Sequence, residues 1–292
     1  MSTRAIVPVK LSLTEGDFYT LWAPKWRQNG SEWQAFLGDD ESVLAFNSPA
    51  ELLCFVESGN KHDLLDHPQW DQFAGRDADR VTPAKRDEYD LIGMPEALAG
   101  RPSHRNVSTV ARNLEMASAL ADVAGAEHTT IFFASHSILR NVSRGADHYS
   151  GEQGMSEWSG VGHVIAGNWK KVIEDLDKHV RVVSSDDFDA AKVSDAKERI
   201  SSAAAASAAA AKEAEEKRKA AAEAADPYDN SPWAAAGIDP IKITAQSKSV
   251  YTLRTYLDGK PIFLGKWGEI FTFDSPKTLV RWIMDNDDHD LA

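Results

Sequence analysis

At 292 residues the chain is long enough for two domains, and 42% hydrophobic with 26% charged residues excludes a chain that is disordered throughout. A formal net charge of −13 speaks against nonspecific attraction to nucleic acid or anionic membrane surfaces, which needs clustered Lys and Arg. The single cysteine, Cys54, excludes an internal disulfide and fits a reducing compartment, where its simplest role is packing.

Residues 6–11, 18–22, 33–37 and 43–46 are short β-prone runs between polar turns, which predicts an antiparallel meander. A helix follows: Ser48 is a good N-cap, Pro49 suits the first helical position, Glu51 completes a capping box and Gly59 ends it. Pro49, Leu52, Leu53 and Val56 form its apolar stripe. Residues 67–103 read as irregular, with one short extended run at 89–92. Helix is expected up to Gly125, buried on two sides; the apolar run 129–139 suits a buried helix or a strand, between which periodicity does not decide, and helix is favoured. Residues 144–162, rich in Gly and Ser, read as a long loop; Asn168 then caps a helix with the stripe Trp169, Val172, Ile173, Leu176 and Val180. From 196 to 225 the composition shifts to Ala, Glu, Lys and Arg, which predicts a helix with little to bury, an exposed semi-rigid spacer, before the joint 226–237.

The last segment repeats the first. With no gap, Phe36-Leu37-Gly38 falls on Phe263-Leu264-Gly265, Phe46 on Phe273, Ser48-Pro49 on Ser275-Pro276, Leu52 on Leu279 and His62-Asp63-Leu64 on His289-Asp290-Leu291. Upstream, Tyr19-Thr20-Leu21 meets Tyr251-Thr252-Leu253, with five extra residues in the first copy between Leu21 and Phe36. Thr278 stands where the capping box has Glu51, so the second helix start should be weaker. The expected fold is α+β: two copies of a β-meander-plus-helix module at residues 1–66 and 238–292, a mainly helical middle at 67–195, and a spacer with joint at 196–237.

Candidate catalytic groups are weak. Six of the nine histidines, His104, His128, His136, His148, His163 and His179, fall in the helical part of the middle section, yet no two of these six are two to five residues apart as a metal pair would require. The glycines of 160–167 have the wrong spacing for a phosphate loop, and Ser135-His136 lacks a nucleophile elbow. His62-Asp63 and His289-Asp290 recur in both modules, and a shared fold explains a repeated pair more simply than catalysis does, His lying near a helix C-terminus with Leu64 or Leu291 beneath. The chain is therefore expected to be no enzyme and to need no cofactor or metal. The remaining signal is aromatic: Trp22, Trp26 and Trp33 surround the five-residue insertion and Trp267 sits on a turn of the second module, where they either cap the module cores or form a binding surface.

The opening residues 2–38, the helix SPAELLCFVESG and the following HDLLDHPQW resemble the actinobacterial SatS family of export chaperones, some members of which bear the label primosomal protein. The resemblance covers both modules and part of the middle. It implies a cytoplasmic chaperone that protects secreted clients and assists their export through the accessory SecA pathway by way of exposed apolar grooves. The resemblance assigns no role to any single residue, and the acidic chain fits a nucleic-acid label poorly. The N-terminal residues hold no apolar run long enough for a signal peptide, and no stretch suits a membrane span, which fits the expected cytoplasmic location. Without a phosphate loop, binding of unfolded or export-bound polypeptide would be ATP-independent. The other reading is a non-catalytic scaffold or adaptor that joins folded partners.

Overall fold

The computed structural model describes residues 6–28, 30–39, 42–224, 236–245, 248–257, 260–266, 268–286, 289 and 291. The fold is mixed α+β, with several small sheets. The chain divides into two compact units, Met1–Ala209 and Ala210–Ala292.

In the first unit, β1 (Val7–Leu13), β2 (Gly16–Gln28) and β3 (Ser31–Phe36) form an antiparallel meander, and β5 (Glu88–Asp90) adds a parallel strand beside β1. Alternation along the strands builds two cores. Val9, Leu11, Leu13, Phe18 and Trp22 point to one face, against α3 (Met94–Ala99), α4 (His104–Ala124) and α6 (Gly151–His179). Leu21, Ala23, Leu37 and Phe46 point to the other, where α1 (Pro49–Glu57) packs Leu52, Leu53 and Val56 onto them. Beyond α1 come α2 (Trp70–Ala74) and a 3-10 turn, Ala78–Val81, which add Trp70, Phe73, Ala78 and Val81 to the same core. β4 (Val43–Ala45) pairs in parallel with β6 (Val180–Val182), so the end of α6 is stitched back beside the meander.

The helical stretches depart from expectation at their ends. Helix α4 runs as expected, capped by Gly125 in the left-handed conformation at φ 70°, where a Cβ would be strained. Helix α5 (Glu127–Ser135) stops short of Leu139, and a 3-10 segment, Ser137–Arg144, takes over. The loop expected over residues 144–162 is instead a 3-10 turn followed by the first three turns of α6. Trp158, Val161 and Ile165 extend the stripe of Trp169, Val172, Ile173 and Leu176 backwards at helical spacing, and that burial outweighs the glycines. Gly154 is required there, because a Cβ would collide with the Tyr149 backbone. Asn168 is no cap: it lies inside α6, its side chain donating to the Val164 carbonyl at 2.9 Å.

The spacer begins earlier than expected, since α7 spans Ala190–Ala224. Its first half is not a free rod. Ala196 is buried, and Val193, Ile200 and Ala203 pack against the α1 core. Arg199 holds both Glu57 oxygens, at 2.7 and 2.8 Å, and Ser207 bonds Asp79 at 2.9 Å. The stripe 193, 196, 200, 203 is helical, and alanine serves it because close approach, rather than bulk, buries the surface.

In the second unit, β7 (Asp239–Ala245), β8 (Lys248–Leu257) and β9 (Lys260–Phe263) form an antiparallel meander, followed by a short β10–β11 ladder (Gly265–Lys266, Glu269–Ile270) and helix α8 (Pro276–Asp285). Tyr251 and Phe273 exchange backbone hydrogen bonds at 2.7 and 2.9 Å, Leu264 N–H donates to Leu253 at 2.9 Å and Phe271 N–H to Leu264 at 2.8 Å. At the aligned positions of the first unit, Tyr19 and Phe46 exchange bonds at 2.8 and 2.9 Å, and Leu37 to Leu21 and Leu44 to Leu37 are both 2.8 Å. The second core is smaller: Leu253, Leu264 and Leu279 are buried, with Tyr251, Phe271, Phe273 and Trp282 partly so.

Candidate functional site

The five extra residues of the first module lengthen the β2–β3 hairpin, and a bulge decides where its tryptophans go. Ladder pairing shifts between Ala23 and Trp26, at Pro24, which has no N–H to offer. The bulge reverses the alternation, so Trp22 joins the core beneath the helices and Trp26 turns to the opposite side. Trp22 is therefore core rather than surface: its ring stacks on Phe36, centroids 6.0 Å apart, and its indole N–H has no partner among the described residues. Trp26 is half-buried, edge-on to His67 at 4.6 Å, its Nε1 donating to Gln28 Oε1 at 3.2 Å. Trp33, its cross-strand partner, is 55% exposed. Trp267 lies outside the described residues.

Trp26 and Trp33 line a groove of about 440 Å³ with Ala35, His67 and Val123. Val123 belongs to α4, and two further depressions follow that helix. One, of about 290 Å³, lies between Trp22, Pro24, Gln34 and Ala119; the other, of about 770 Å³, lies between α4, α5 and the 3-10 segment, with Ala111, Leu114, Phe133, Leu139 and Val142 as its apolar wall. The depressions share walls: Glu115 and Ser118 border the two last named, and Gln34 borders the two beside the hairpin. The three follow one another along α4 as a channel-like row: the outer two are mostly apolar, the middle one is evenly polar and apolar, and charges of both signs border the row (Lys25, Arg112, Glu115, Asp122 and Arg140).

The part of the channel at Phe133 was hidden in the sequence because the run 129–139 reads as buried throughout. Its signal is the pair Phe132-Phe133: neighbours on a helix diverge by about 100°, so both cannot face one core. Phe132 is buried and touches Trp169, while Phe133 lines the channel.

The described histidines sit apart, in packing contacts and local hydrogen bonds. His62 and His67 are buried, and desolvation holds both imidazoles below their ordinary range, which keeps them neutral. His62 sits edge-on to Trp70 at 4.4 Å and 6.3 Å from Phe55; His289 lies 5.8 Å from Trp282, the residue aligned with Phe55. The neutral, ring-packed His62 leaves no cation for a helix dipole, while Leu64 is buried as expected. Asp290 lies outside the described residues. His148 bonds Glu157 at 3.1 Å, and His136 Nδ1 bonds the Phe132 carbonyl at 2.8 Å. Burial pushes the Tyr149 phenol up to about 12, so it stays protonated. Residues 160–167 lie inside α6. Among the described residues no group of three or more His, Cys, Asp and Glu could hold a metal, and no helix is long and apolar enough to cross a membrane.

Fold and surface thus define an α+β protein with a row of partly apolar depressions along α4. The family described as SatS C-terminal domain matches residues 6–177 and 238–292, and the chain belongs to that family. The intervening residues 178–237, which include α7, are outside the match. A crystal structure of the SatS C-terminal domain in complex with bromine is similar at 16% identity and a TM-score of 0.43, covering 61% of this chain and 94% of that one. No curated protein matches the chain.

Proposed function

We propose that the chain is a cytoplasmic, ATP-independent chaperone that holds extended segments of unfolded, export-bound proteins in the channel along α4. The observation that carries the reading is the succession of depressions with shared walls from Ala111 to Val123. Twelve helical steps of about 1.5 Å give roughly 18 Å, the span of about five residues of extended chain. Mostly apolar walls with charges of both signs at the rim suit clients of many sequences. Family membership supports a general role in export, and handover to the accessory SecA machinery is the partner step it suggests. The role is binding, without catalysis or cofactor, and without nucleic acid or membrane insertion, for which the net charge of −13 offers no attraction. The two ends of the chain are read as copies of one module, on the strength of the aligned residues and the matching backbone bonds.

The test is aggregation of an unfolded secretory precursor, followed by light scattering without nucleotide. Wild-type protein should suppress it, and should still do so at high salt, which screens charge beyond about 3 Å at 1 M but leaves apolar burial intact. Trp33→Ser and Phe133→Ser should weaken holding several-fold. Trp169→Ser, compared at equal folded fraction, should not, because Trp169 is buried with its Nε1 on the Leu91 carbonyl at 2.7 Å. The adaptor reading has its own observation, the exposed apolar side chains of the second unit (Ile243, Tyr256, Leu257, Ile270, Val280 and Met284). Unchanged aggregation at several-fold molar excess, together with capture of one folded partner, would replace the chaperone by the adaptor.

A further inference from the structure

The first module displays what lies across its helix. Leu53 of α1 is fully buried, in the same core as the 3-10 turn Ala78–Val81 and the Ala196, Ile200 and Ala203 stripe of α7. Beside it, burial raises the Cys54 thiol, with Lys192, Asp195 and Arg199 close enough to act on it. Glu57 closes the contact through Arg199 and through Arg80 at 3.1 Å.

The aligned side of α8 carries Val280 for Leu53, Arg281 for Cys54, Met284 for Glu57 and Lys277 for Ala50. Val280 is 42% and Met284 78% exposed. With Pro276, Lys277, Arg281 and Asp285 they line a depression of about 540 Å³. Val280 and Met284 are one helical turn apart, as are Lys277 and Arg281, so an apolar stripe runs beside a basic one. Neither Lys277 nor Arg281 makes an ion pair among the described residues. The charge of the first module is reversed in balance here: there the helix offers a carboxylate to two arginines, and here Lys277 and Arg281 outnumber Asp285, the one carboxylate among the described residues that line the depression.

We propose that the outer face of α8 docks an acidic amphipathic helix of another protein, which lies across Val280 and Met284 as α7 lies across α1 and sets carboxylates against Lys277 and Arg281. The face suits a helix because α7 packs against the core of the first module, and it suits an acidic one because Lys277 and Arg281 outweigh the single carboxylate, Asp285, at the end of their stripe. The proposal rests on reading the two ends as copies of one module and is independent of client holding in the α4 channel.

The probe is a synthetic peptide of residues 189–211, the covering stretch of α7, carrying K192E and R199E; its parent is the same peptide unchanged. Titrated into the full-length chain and read by fluorescence anisotropy, the acidic peptide should bind roughly fivefold more tightly than the parent. In the chain variant Arg281→Glu the preference should reverse, and Met284→Asp should weaken the acidic peptide at least tenfold. Met284 is so exposed that its substitution should leave the melting curve unchanged. Equal binding of both peptides, or binding indifferent to Met284→Asp, overturns the proposal. Sedimentation showing a dimer of the chain that Met284→Asp dissolves also overturns it, in favour of a second copy as occupant. Hydrogen exchange separates the module reading: slow amides at Tyr251 and Phe273 without peptide binding would leave the copies standing and remove the docking site.

Discussion

Glu57→Gln tests whether α7 is fastened to the first unit by charge. The carboxylate takes a forked pair of bonds from Arg199 at 2.7 and 2.8 Å and a third bond from Arg80 at 3.1 Å. Arg80 is almost wholly buried, whereas Glu57 is 34% and Arg199 45% exposed at the side chain, so solvent screens the outer pair. An exposed pair contributes at most about 1 kcal/mol, and a buried guanidinium left without its carboxylate adds a cost of similar size. The expected loss is about 1–2 kcal/mol at pH 7. For a unit of this length, Met1–Ala209, that lowers the melting temperature by about 3–6 °C. Hydrogen bonding from Arg199, opposed by partial burial and reinforced by Arg80, holds the Glu57 carboxyl below its usual 4.5. A depressed carboxylate stabilises the fold above the unfolded-state value and stops doing so as pH falls through the folded-state value. The gap between wild type and Glu57→Gln should therefore be full at pH 7, narrow below about pH 4.5 and close beneath the folded value. Circular-dichroism melts at pH 7, 4.5 and 3.5 read it directly. An equal gap at every pH, or none at pH 7, would refute the charge account.

Two further substitutions probe the packing. Thr20→Val should raise stability by about 1 kcal/mol, seen as a higher denaturant midpoint at unchanged slope, because the buried Thr20 hydroxyl has no hydrogen-bond partner among the described residues. Leu11→Ala should cost about 2–5 kcal/mol and Ile243→Ala, at the aligned position, well under half of that, since Leu11 is fully buried and Ile243 is 40% exposed. Equal costs would mean that the exposed sheet face of the second unit is covered in solution.

Local chemistry made the module helices legible. Ser48 and Ser275 each accept from the N–H three residues on, at 3.2 Å, as an N-cap serine should. The difference at the third position was legible too: Glu51 reaches back to the Asn47 N–H at 2.9 Å, whereas Thr278 turns its hydroxyl to Ser275 at 2.6 Å. What stayed hidden depends on contacts far along the chain. The start of α6 reads as loop because glycine is a poor helix former, yet Gly154 is there to admit Tyr149, and Trp158 anchors that turn by donating to the Gly100 carbonyl at 2.9 Å. The docking of α7 reads as absent because alanine looks like propensity rather than surface. The channel was half legible: its hairpin tryptophans stood out, but which of them face solvent depended on the bulge at Pro24.

The two aligned segments match in several backbone bonds but not in burial, and the difference has a thermodynamic consequence. Leu11, Val43 and Leu53 are buried in the first, while the aligned Ile243, Ile270 and Val280 are 40–50% exposed. Each large apolar side chain that a partner covers contributes up to about 1.5–3 kcal/mol in proportion to the area still open, against a fold of this size that is marginal by itself. A ligand that binds only the folded module stabilises it by mass action. Occupancy of the α8 face should therefore raise the stability of the second unit itself, so that docking and folding there are one linked equilibrium. The first unit, with its own α7 already across α1, has no matching α1 face left for a partner to fill.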